Sequence, residues 1–223
     1  MNFCVNTSPL AGREGKFVTS RQIWDRLQKE LQHNVALRVS ETDEEGIFEV
    51  MGRGELHLTI LLENMRREGY EMAVSKPRVV FRTVNGEKHE PIELVTADIE
   101  ETHQGGVMQA LGERKGELVN MEPDGRGRVR LEYRIPARGL IGFTNEFLNL
   151  TRGSGLISNI FDSYEAHKGE IGSRKNGVLI SMDDGEIFTY ALGKLDDRGR
   201  MFVKANDPVY EGMIVGIHSR DND

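Results

Sequence analysis

The first 77 residues show two hydrophobic periods, which together predict a succession of strands and helices. Apolar residues recur every three or four positions from Ile23 and again from Leu58, the spacing of one face of an α-helix. Thr19 and Gln22 form a capping-box pattern before the first helix, and Gly69 suits the residue that follows the second. Alternation of apolar and polar residues predicts strands at 1–6, 35–39, 47–50 and 70–75. The resulting order is β-α-β-β-α-β, the ferredoxin-like arrangement.

The same order recurs in the next stretch of the chain. Helical spacing covers 105–115 and 140–151, and strands are predicted at 92–100, 118–121, 128–135 and 156–164. In both repeats an Arg-Gly pair precedes the second helix, at Arg53-Gly54 and at Arg138-Gly139, 85 residues apart. A repeat of this length indicates two domains of one fold rather than a solenoid. In each we expect two helices to cover one face of a four-stranded antiparallel sheet and to leave the other face free.

After residue 165 the pattern predicts strands only. A glycine-rich charged link at 166–176 is followed by apolar runs at 178–182 and 187–192, which flank a turn-forming sequence and predict a hairpin. Further short strands are predicted at 201–203 and 213–218. About 50 residues of short strands are too few for a good independent core. We therefore expect a larger β domain that continues beyond Asp223. The predicted fold class is α+β, with two ferredoxin-like βαββαβ domains (1–77 and 78–165) followed by part of a β-rich C-terminal domain (166–223).

Composition narrows the class of protein. No apolar run is long enough to span a membrane, and the N-terminus lacks the pattern of a signal peptide. A single cysteine, Cys4, fits a reducing compartment, so we expect a soluble cytoplasmic protein with no membrane partner. The net charge of −7 is unlike the basic balance of most nucleic-acid binders. Any RNA contact must therefore come from a local patch.

The sequence offers no convincing catalytic or metal-binding group. The six histidines are scattered without the spacing of metal ligands, and no nucleophile lies in a recognisable triad. The stretch from Gly12 to Phe17 imitates a phosphate-binding loop, but only two residues separate its glycines, and Phe17 rather than Ser or Thr follows Lys16. We therefore predict no catalytic residue, no bound cofactor and no metal in this chain.

A row of arginines is the most interesting candidate for binding. The predicted strand at 128–135 alternates without a break, so its arginines should lie on the open face or edge of the second sheet. Arginine suits phosphate because its planar guanidinium carries a fork of donors. The alternative is cross-strand pairing with Glu117, Glu122 or Glu132, or packing against the neighbouring domain. The basic residues of the link raise the same two possibilities, and the full set of RNA-binding candidates is Arg126, Arg128, Arg130, Arg134, Lys168, Arg174 and Lys175.

Three motifs resemble a known family. The stretch Gly52-Arg53-Gly54-Glu55-Leu56-His57-Leu58, at a strand-to-helix junction, resembles the domain III signature of elongation factor G-like translational GTPases. The stretch from Ser8 to Lys16 resembles the loop of that domain in the BipA/TypA family. The stretch Pro136-Ala137-Arg138-Gly139-Leu140-Ile141-Gly142-Phe143 resembles its domain V counterpart. The resemblance covers essentially the whole chain.

The resemblance implies a function for the parent protein. Residues 1–77 would be domain III, 78–165 domain V, and the remainder the start of the family's own C-terminal domain. The family implies binding to the 70S ribosome, with contacts to rRNA and the tRNA acceptor region, and roles in ribosome assembly and stress response. GTP and Mg would bind an upstream GTPase domain, so this chain would carry no GTPase site. An alternative is that the tandem ferredoxin-like domains sense a small ligand such as ppGpp.

Overall fold

The computed structural model describes residues 1–172 and 176–222, which form two compact units, Met1–Gly169 and Glu170–Asp223. The first unit contains two antiparallel sheets, and the second contains two smaller ones. No helix within the described ranges is long and apolar enough to cross a membrane. The boundary that we predict between residues 77 and 78, inside the first unit, stays a prediction.

The first repeat has the predicted element order. Its strands pair in the order β2-β3-β1-β4, all antiparallel, which is the ferredoxin-like topology. The elements are β1 (Asn2–Cys4), α1 (Ser20–Leu31), β2 (Arg38–Glu41), β3 (Ile47–Met51), α2 (Glu55–Glu68) and β4 (Ala73–Val74).

Local signals place both helices of this repeat. Thr19 caps α1 through the predicted capping box, in which its hydroxyl accepts from the backbone N–H of Gln22 at 3.3 Å. Gly69 ends α2 in the left-handed conformation, with φ of 95°. The apolar faces of the helices pack on one side of the sheet, where Ile23, Leu27 and Met65 are fully buried. Packing of this face accounts for most of the helical stability.

The second repeat repeats this topology. Its strands pair in the order β7-β8-β6-β9, and an additional strand, β5, pairs with the start of β6. A single 3₁₀ turn at Glu101–His103 precedes α3. The elements are β5 (Arg82–Val84), β6 (Glu87–Glu100), α3 (Gln104–Glu113), β7 (Glu117–Pro123), β8 (Arg128–Pro136), α4 (Ala137–Leu140), α5 (Phe143–Leu150) and β9 (Leu156–Ala166).

The helix predicted at 140–151 is present as α5 but begins three residues later, and a separate short helix, α4, precedes it. Ile141 is extended and Gly142 has φ of 72°, a conformation that interrupts an α-helix but that glycine adopts without strain. Phe143 and Phe147 of α5 belong to the same core cluster as Leu131 and Ile99 of the sheet, and both rings are buried.

The second unit is β-rich but not β only. Strand β10 pairs with β14 rather than within the predicted hairpin, and the run at 187–192 is largely helical. The hairpin prediction is therefore wrong: β11 pairs with the distant β13, and Ile187 and Leu192 pack on a small core around Val203, Val209 and Val215. The elements are β10 (Val178–Ile180), β11 (Gly185–Glu186), α6 (Thr189–Leu195), a 3₁₀ turn (Asp196–Arg198), β12 (Gly199–Met201), β13 (Pro208–Val209) and β14 (Ile214–His218).

Candidate nucleic-acid interface

The arginine row lies where the strand pattern predicts it. In β8, Val129, Leu131, Tyr133 and Ile135 are buried against the helices, so the intervening residues face the other side of the sheet. Strand β8 lies between β6 and β7, which puts this face at the middle of the sheet. The sheet therefore presents three arginines of β8 on its helix-free face, namely Arg128, Arg130 and Arg134.

Two of these arginines are already paired with carboxylates. Arg130 contacts Asp98, its direct cross-strand neighbour on β6, at 3.1 Å. Arg134 contacts Asp162 at 2.8 Å and Glu165 at 2.5 Å, both on β9. Hydrogen bonds from Arg134 hold the pKa of Asp162 below its usual range. Cross-strand pairing, the alternative to RNA contact, is thus present, although its partners are not the glutamates that the sequence suggested.

The guanidinium groups of the other two arginines form no ion pair with a carboxylate within the described residues. Arg128 donates from Nη2 to the backbone carbonyls of Asp98, at 3.1 Å, and Ser154, at 3.5 Å. Arg126 is exposed in the turn before β8. The Asp124 carboxylate accepts the backbone N–H groups of both, at 2.7 Å from Arg126 and 2.9 Å from Arg128, which lowers its pKa. These two guanidinium groups are the members of the row most available to an external anion.

Lys168 is held at the edge of the same sheet. Its ammonium group contacts Glu117 at 2.8 Å and Glu165 at 3.2 Å, and its side chain is only 17% exposed. Burial alone would lower the pKa of Lys168, but the bonds to the two glutamates outweigh it and raise the pKa. An external phosphate would have to displace these glutamates. The remaining candidates, Arg174 and Lys175, lie outside the described residues.

Carboxylates outnumber cations on this face of the sheet. A phosphate that approaches Arg130 or Arg134 must therefore compete with carboxylates already in place and must overcome repulsion from the others. The cations are Arg128, Arg130, Arg134 and Lys168, and the carboxylates are Asp98, Glu100, Glu117, Glu122, Glu132, Asp162 and Glu165.

The loop that imitates a phosphate-binding loop is filled by a side chain of the protein. The Glu71 carboxylate accepts the backbone N–H groups of Gly12 at 2.7 Å, Gly15 at 3.1 Å and Glu14 at 3.2 Å. Asn6 adds a side-chain bond to Glu71 at 2.8 Å. These donors hold the pKa of Glu71 down to about 2. The donors that a phosphate would need are therefore occupied. Across the described residues, no group of three or more His, Cys, Asp or Glu side chains could hold a metal ion.

A buried ion pair was missed by the sequence reasoning. Glu90 on β6 is completely buried and binds Arg138, of the Arg-Gly pair, through Nε at 2.5 Å and Nη2 at 3.1 Å. The carboxylate of Glu90 also accepts the backbone N–H of Lys168 at 2.7 Å, and Arg138 donates to the carbonyl of Gly169 at 2.5 Å. This contact fixes the chain where β9 ends. A glutamate at one position of a strand carries no sequence signal that distinguishes burial from exposure.

A basic segment at 76–88 was also missed, although a signal for it is present in the sequence. It carries Lys76, Arg78, Arg82 and Lys88 against one carboxylate, Glu87. Strand alternation does not draw attention to it, because its cations fall in a connection and a hairpin rather than along one regular strand. A sliding count of charge would have found it.

Comparison with known proteins identifies the class first. Residues 87–175 match the family model described as elongation factor G C-terminus, which covers nearly all of the second repeat. Residues 176–223 match the model described as TypA/BipA C-terminal domain. The fold and the first match define a C-terminal portion of an elongation factor G-like protein.

Individual relatives identify the family. The protein named large ribosomal subunit assembly factor BipA is 62% identical in Escherichia coli K12 and in Haemophilus influenzae, and 55% identical in Buchnera aphidicola. Each alignment covers the whole of this chain but only 36–37% of the relative. The chain belongs to the TypA/BipA family, as the motifs predicted, and spans little more than a third of the length of these relatives. A solved structure from Thermus thermophilus shares 14% identity with a TM-score of 0.48, covers 75% of this chain and 41% of its own, and bears on neither fold nor function.

Proposed function

We propose that this chain is the ribosome-contacting portion of a large-subunit assembly factor that acts in the cytoplasm and in stress response. The observation that carries the proposal is the 62% identity, over the full chain, to proteins named as assembly factors of the large ribosomal subunit. GTP and magnesium would bind the part of the parent protein that this chain does not span. The two sheets and the second unit would transmit the nucleotide state of that part to the ribosome.

The contacts with rRNA and the tRNA acceptor region are assigned to the arginine row and the link. Arg126 and Arg128 are the first choices, because neither guanidinium group forms an ion pair with a carboxylate in the described residues, although Asp124 binds the backbone of both. Arg130, Arg134 and Lys168 would contribute only by exchanging their carboxylate partners for phosphate. Arg174 and Lys175 complete the set as sequence-based candidates.

Pelleting of the chain with purified 50S subunits and 70S ribosomes tests this proposal. Replacement of both Arg126 and Arg128 by glutamate should weaken pelleting at least tenfold at low salt, and the difference should shrink as salt rises, since phosphate contacts release counterions. The matched control replaces Lys29 and Arg38, two exposed cations of the first repeat, by glutamate. An equal loss of pelleting in the two double variants would show that the effect comes from net charge alone and not from Arg126 and Arg128. Unchanged binding after reversal of Arg174 and Lys175 in the intact parent would remove the link from the interface.

A small-ligand sensor is the second candidate function, with ppGpp as its ligand. A groove in the first unit is lined by three cations, Arg53, Arg78 and Lys88, which suit a phosphorylated ligand, and also by three glutamates. Calorimetric titration of the chain with ppGpp distinguishes the candidates. Saturable heat that disappears on replacement of Arg78 by glutamine supports the sensor, and the absence of heat at ligand concentrations where the chain pellets with ribosomes excludes it.

A further inference from the structure

The basic segment, residues 76–88, has a charge opposite to that of the chain as a whole. Its four cations and one carboxylate give it a net charge of +3, whereas the whole chain carries −7. Within the described part of the chain, none of these four cations lies within ion-pair distance of a carboxylate, unlike Arg130, Arg134 and Lys168. The four cationic side chains are exposed and are therefore open to an external anion.

Aromatic rings lie beside these cations. The guanidinium carbon of Arg82 lies 4.0 Å from the centre of the Tyr164 ring, and Lys88 Nζ lies 3.7 Å from that of Phe81. Phe161 packs against Tyr164 with ring centres 5.4 Å apart, yet it is 58% exposed. Cation–aromatic stacking of this kind orients the guanidinium plane and leaves its outer surface open. An exposed phenylalanine beside a stacked arginine is a platform on which flat groups can stack.

Two of the four cations and the three rings line a groove within the first unit, which three glutamates also line. The groove has a volume of about 1660 Å³, and Arg78, Phe81, Lys88, Phe161 and Tyr164 all line it. That volume exceeds the roughly 300–1,000 Å³ of most small-molecule sites, so it suits a polymer better than a single ligand. A repeating anion with flat groups between its charges would use both components of the lining.

We propose that the basic segment and β9 together form a binding surface for single-stranded RNA. Arg78, Arg82 and their neighbouring lysines contact phosphates, while unstacked bases stack on Phe161 and on the Arg82–Tyr164 pair. A duplex keeps its bases stacked internally and cannot use the aromatic platform. An acidic protein segment would use the cations but would gain little from the rings. The choice of RNA rests on the proposed ribosomal function; the surface itself rests on charge and geometry.

Fluorescence anisotropy of a labelled single-stranded RNA of about twelve nucleotides, titrated with the 223-residue chain, tests the inference. Replacement of both Arg78 and Arg82 by glutamine should weaken binding at least tenfold. It should also reduce the slope of log affinity against log salt by about 1.4, since each phosphate contact in a single strand contributes roughly 0.7. The matched control replaces Lys29 and Arg38 by glutamine, which removes the same charge elsewhere and should change affinity less than about twofold.

Replacement of Phe161 by alanine tests the aromatic component separately. The expected loss is on the order of tenfold for the single strand, with an unchanged salt slope and no loss for duplex RNA of the same sequence. Because Phe161 is largely exposed, the variant should keep the circular dichroism and melting behaviour of the parent chain. A deoxyribonucleotide strand of the same sequence shows whether the sugar contributes.

Three results would overturn the inference. The first is no binding of the single strand by the parent chain at about 50 mM salt. The second is equal weakening by the glutamine pair and by its control. The third is tighter binding of a polyglutamate peptide than of RNA, with the same dependence on Arg78 and Arg82, which would assign the surface to an acidic protein. Each leaves the ribosome-pelleting result of the arginine row untouched, so failure here is distinguishable from failure of the proposed function.

Discussion

Replacement of Glu90 by glutamine should destabilise the second repeat by an amount that follows from its buried contacts. The carboxylate is completely buried and accepts three hydrogen bonds, two from Arg138 and one from the backbone of Lys168. A glutamine fits the same volume but is neutral. Its amide NH2 group would face one of the N–H groups that now donate to the carboxylate, so one hydrogen bond would be lost. Removal of one member of a buried pair costs about 3–5 kcal/mol when the other is stranded.

The expected cost is smaller here because Arg138 is not fully stranded. Its side chain is 16% exposed and keeps its bond to the carbonyl of Gly169, so it can recruit water. We therefore expect about 2–3 kcal/mol for Glu90→Gln, close to the loss of one charge-assisted hydrogen bond plus partial desolvation. Glu87→Gln, at an exposed position of the same strand, should change stability by less than about 0.5 kcal/mol.

The difference in stability between the parent chain and Glu90→Gln should disappear at acidic pH. Burial raises the pKa of Glu90, but hydrogen bonds from Arg138 and from the Lys168 backbone outweigh burial, so the folded pKa lies below the ordinary value of 4.5. The stability that the carboxylate provides is thus fully present above about pH 4.5 and is lost as the pH falls through the lowered folded pKa. The gap between the parent chain and Glu90→Gln should be constant near neutral pH and close in acid.

Hydrogen exchange followed by mass spectrometry is the suitable assay, because the two units need not unfold together. Peptides from β6 and β8 report the opening free energy of the second sheet, and peptides from β10 and β14, in the other compact unit, serve as an internal control. The reasoning would be refuted if Glu90→Gln slowed or left unchanged the exchange of β6 and β8 at neutral pH. It would also be refuted if the gap widened in acid.

Three further predictions follow from single residues. Glu71→Gln should free the loop at 12–15 and speed its proteolysis, at a cost in stability of only about 1 kcal/mol because Glu71 is close to solvent. Since the folded pKa of Glu71 is about 2, the loop of the parent chain should loosen in the same way as the pH falls from about 4.5 towards 2. Gly142→Ala should cost about 1–2 kcal/mol in thermal unfolding from its φ of 72° alone, since no atom lies within 4 Å of the added carbon. Leu111→Ala, at a fully buried position of α3, should cost about 2–5 kcal/mol in the same measurement.

The sequence predicted the two repeats well because their signals are local. The capping box of Thr19, the glycine at 69 and the unbroken alternation of β8 each depend on residues within a few positions of one another. The prediction was wrong where the structure of a segment depends on a partner that is distant in sequence. Residues 187–192 have the apolar content of a strand, but β10 pairs with the distant β14, and Ile187 and Leu192 pack on the small core instead. The sequence did not predict α4 as a separate helix, because the left-handed turn at Gly142 that separates it from α5 was not recognised.

The candidate interface shows the same division more sharply. Strand alternation correctly assigns Arg128, Arg130 and Arg134 to one face, since the period of a strand depends on its backbone alone. Whether those arginines are available to RNA depends on which carboxylates lie on β6 and β9, two strands that are far from β8 in sequence.

Local density of charge predicts availability better than regular spacing in this chain. A regular strand in a sheet brings neighbours of opposite sign within reach of its arginines, and opposite charges directly across a sheet stabilise it. The cations at 76–88 lie in a connection and an edge hairpin, where fewer strands can supply carboxylates. Their charged groups therefore remain available to a binding partner. For binding an external anion, cations at the edge of a sheet are therefore better placed than cations in its middle.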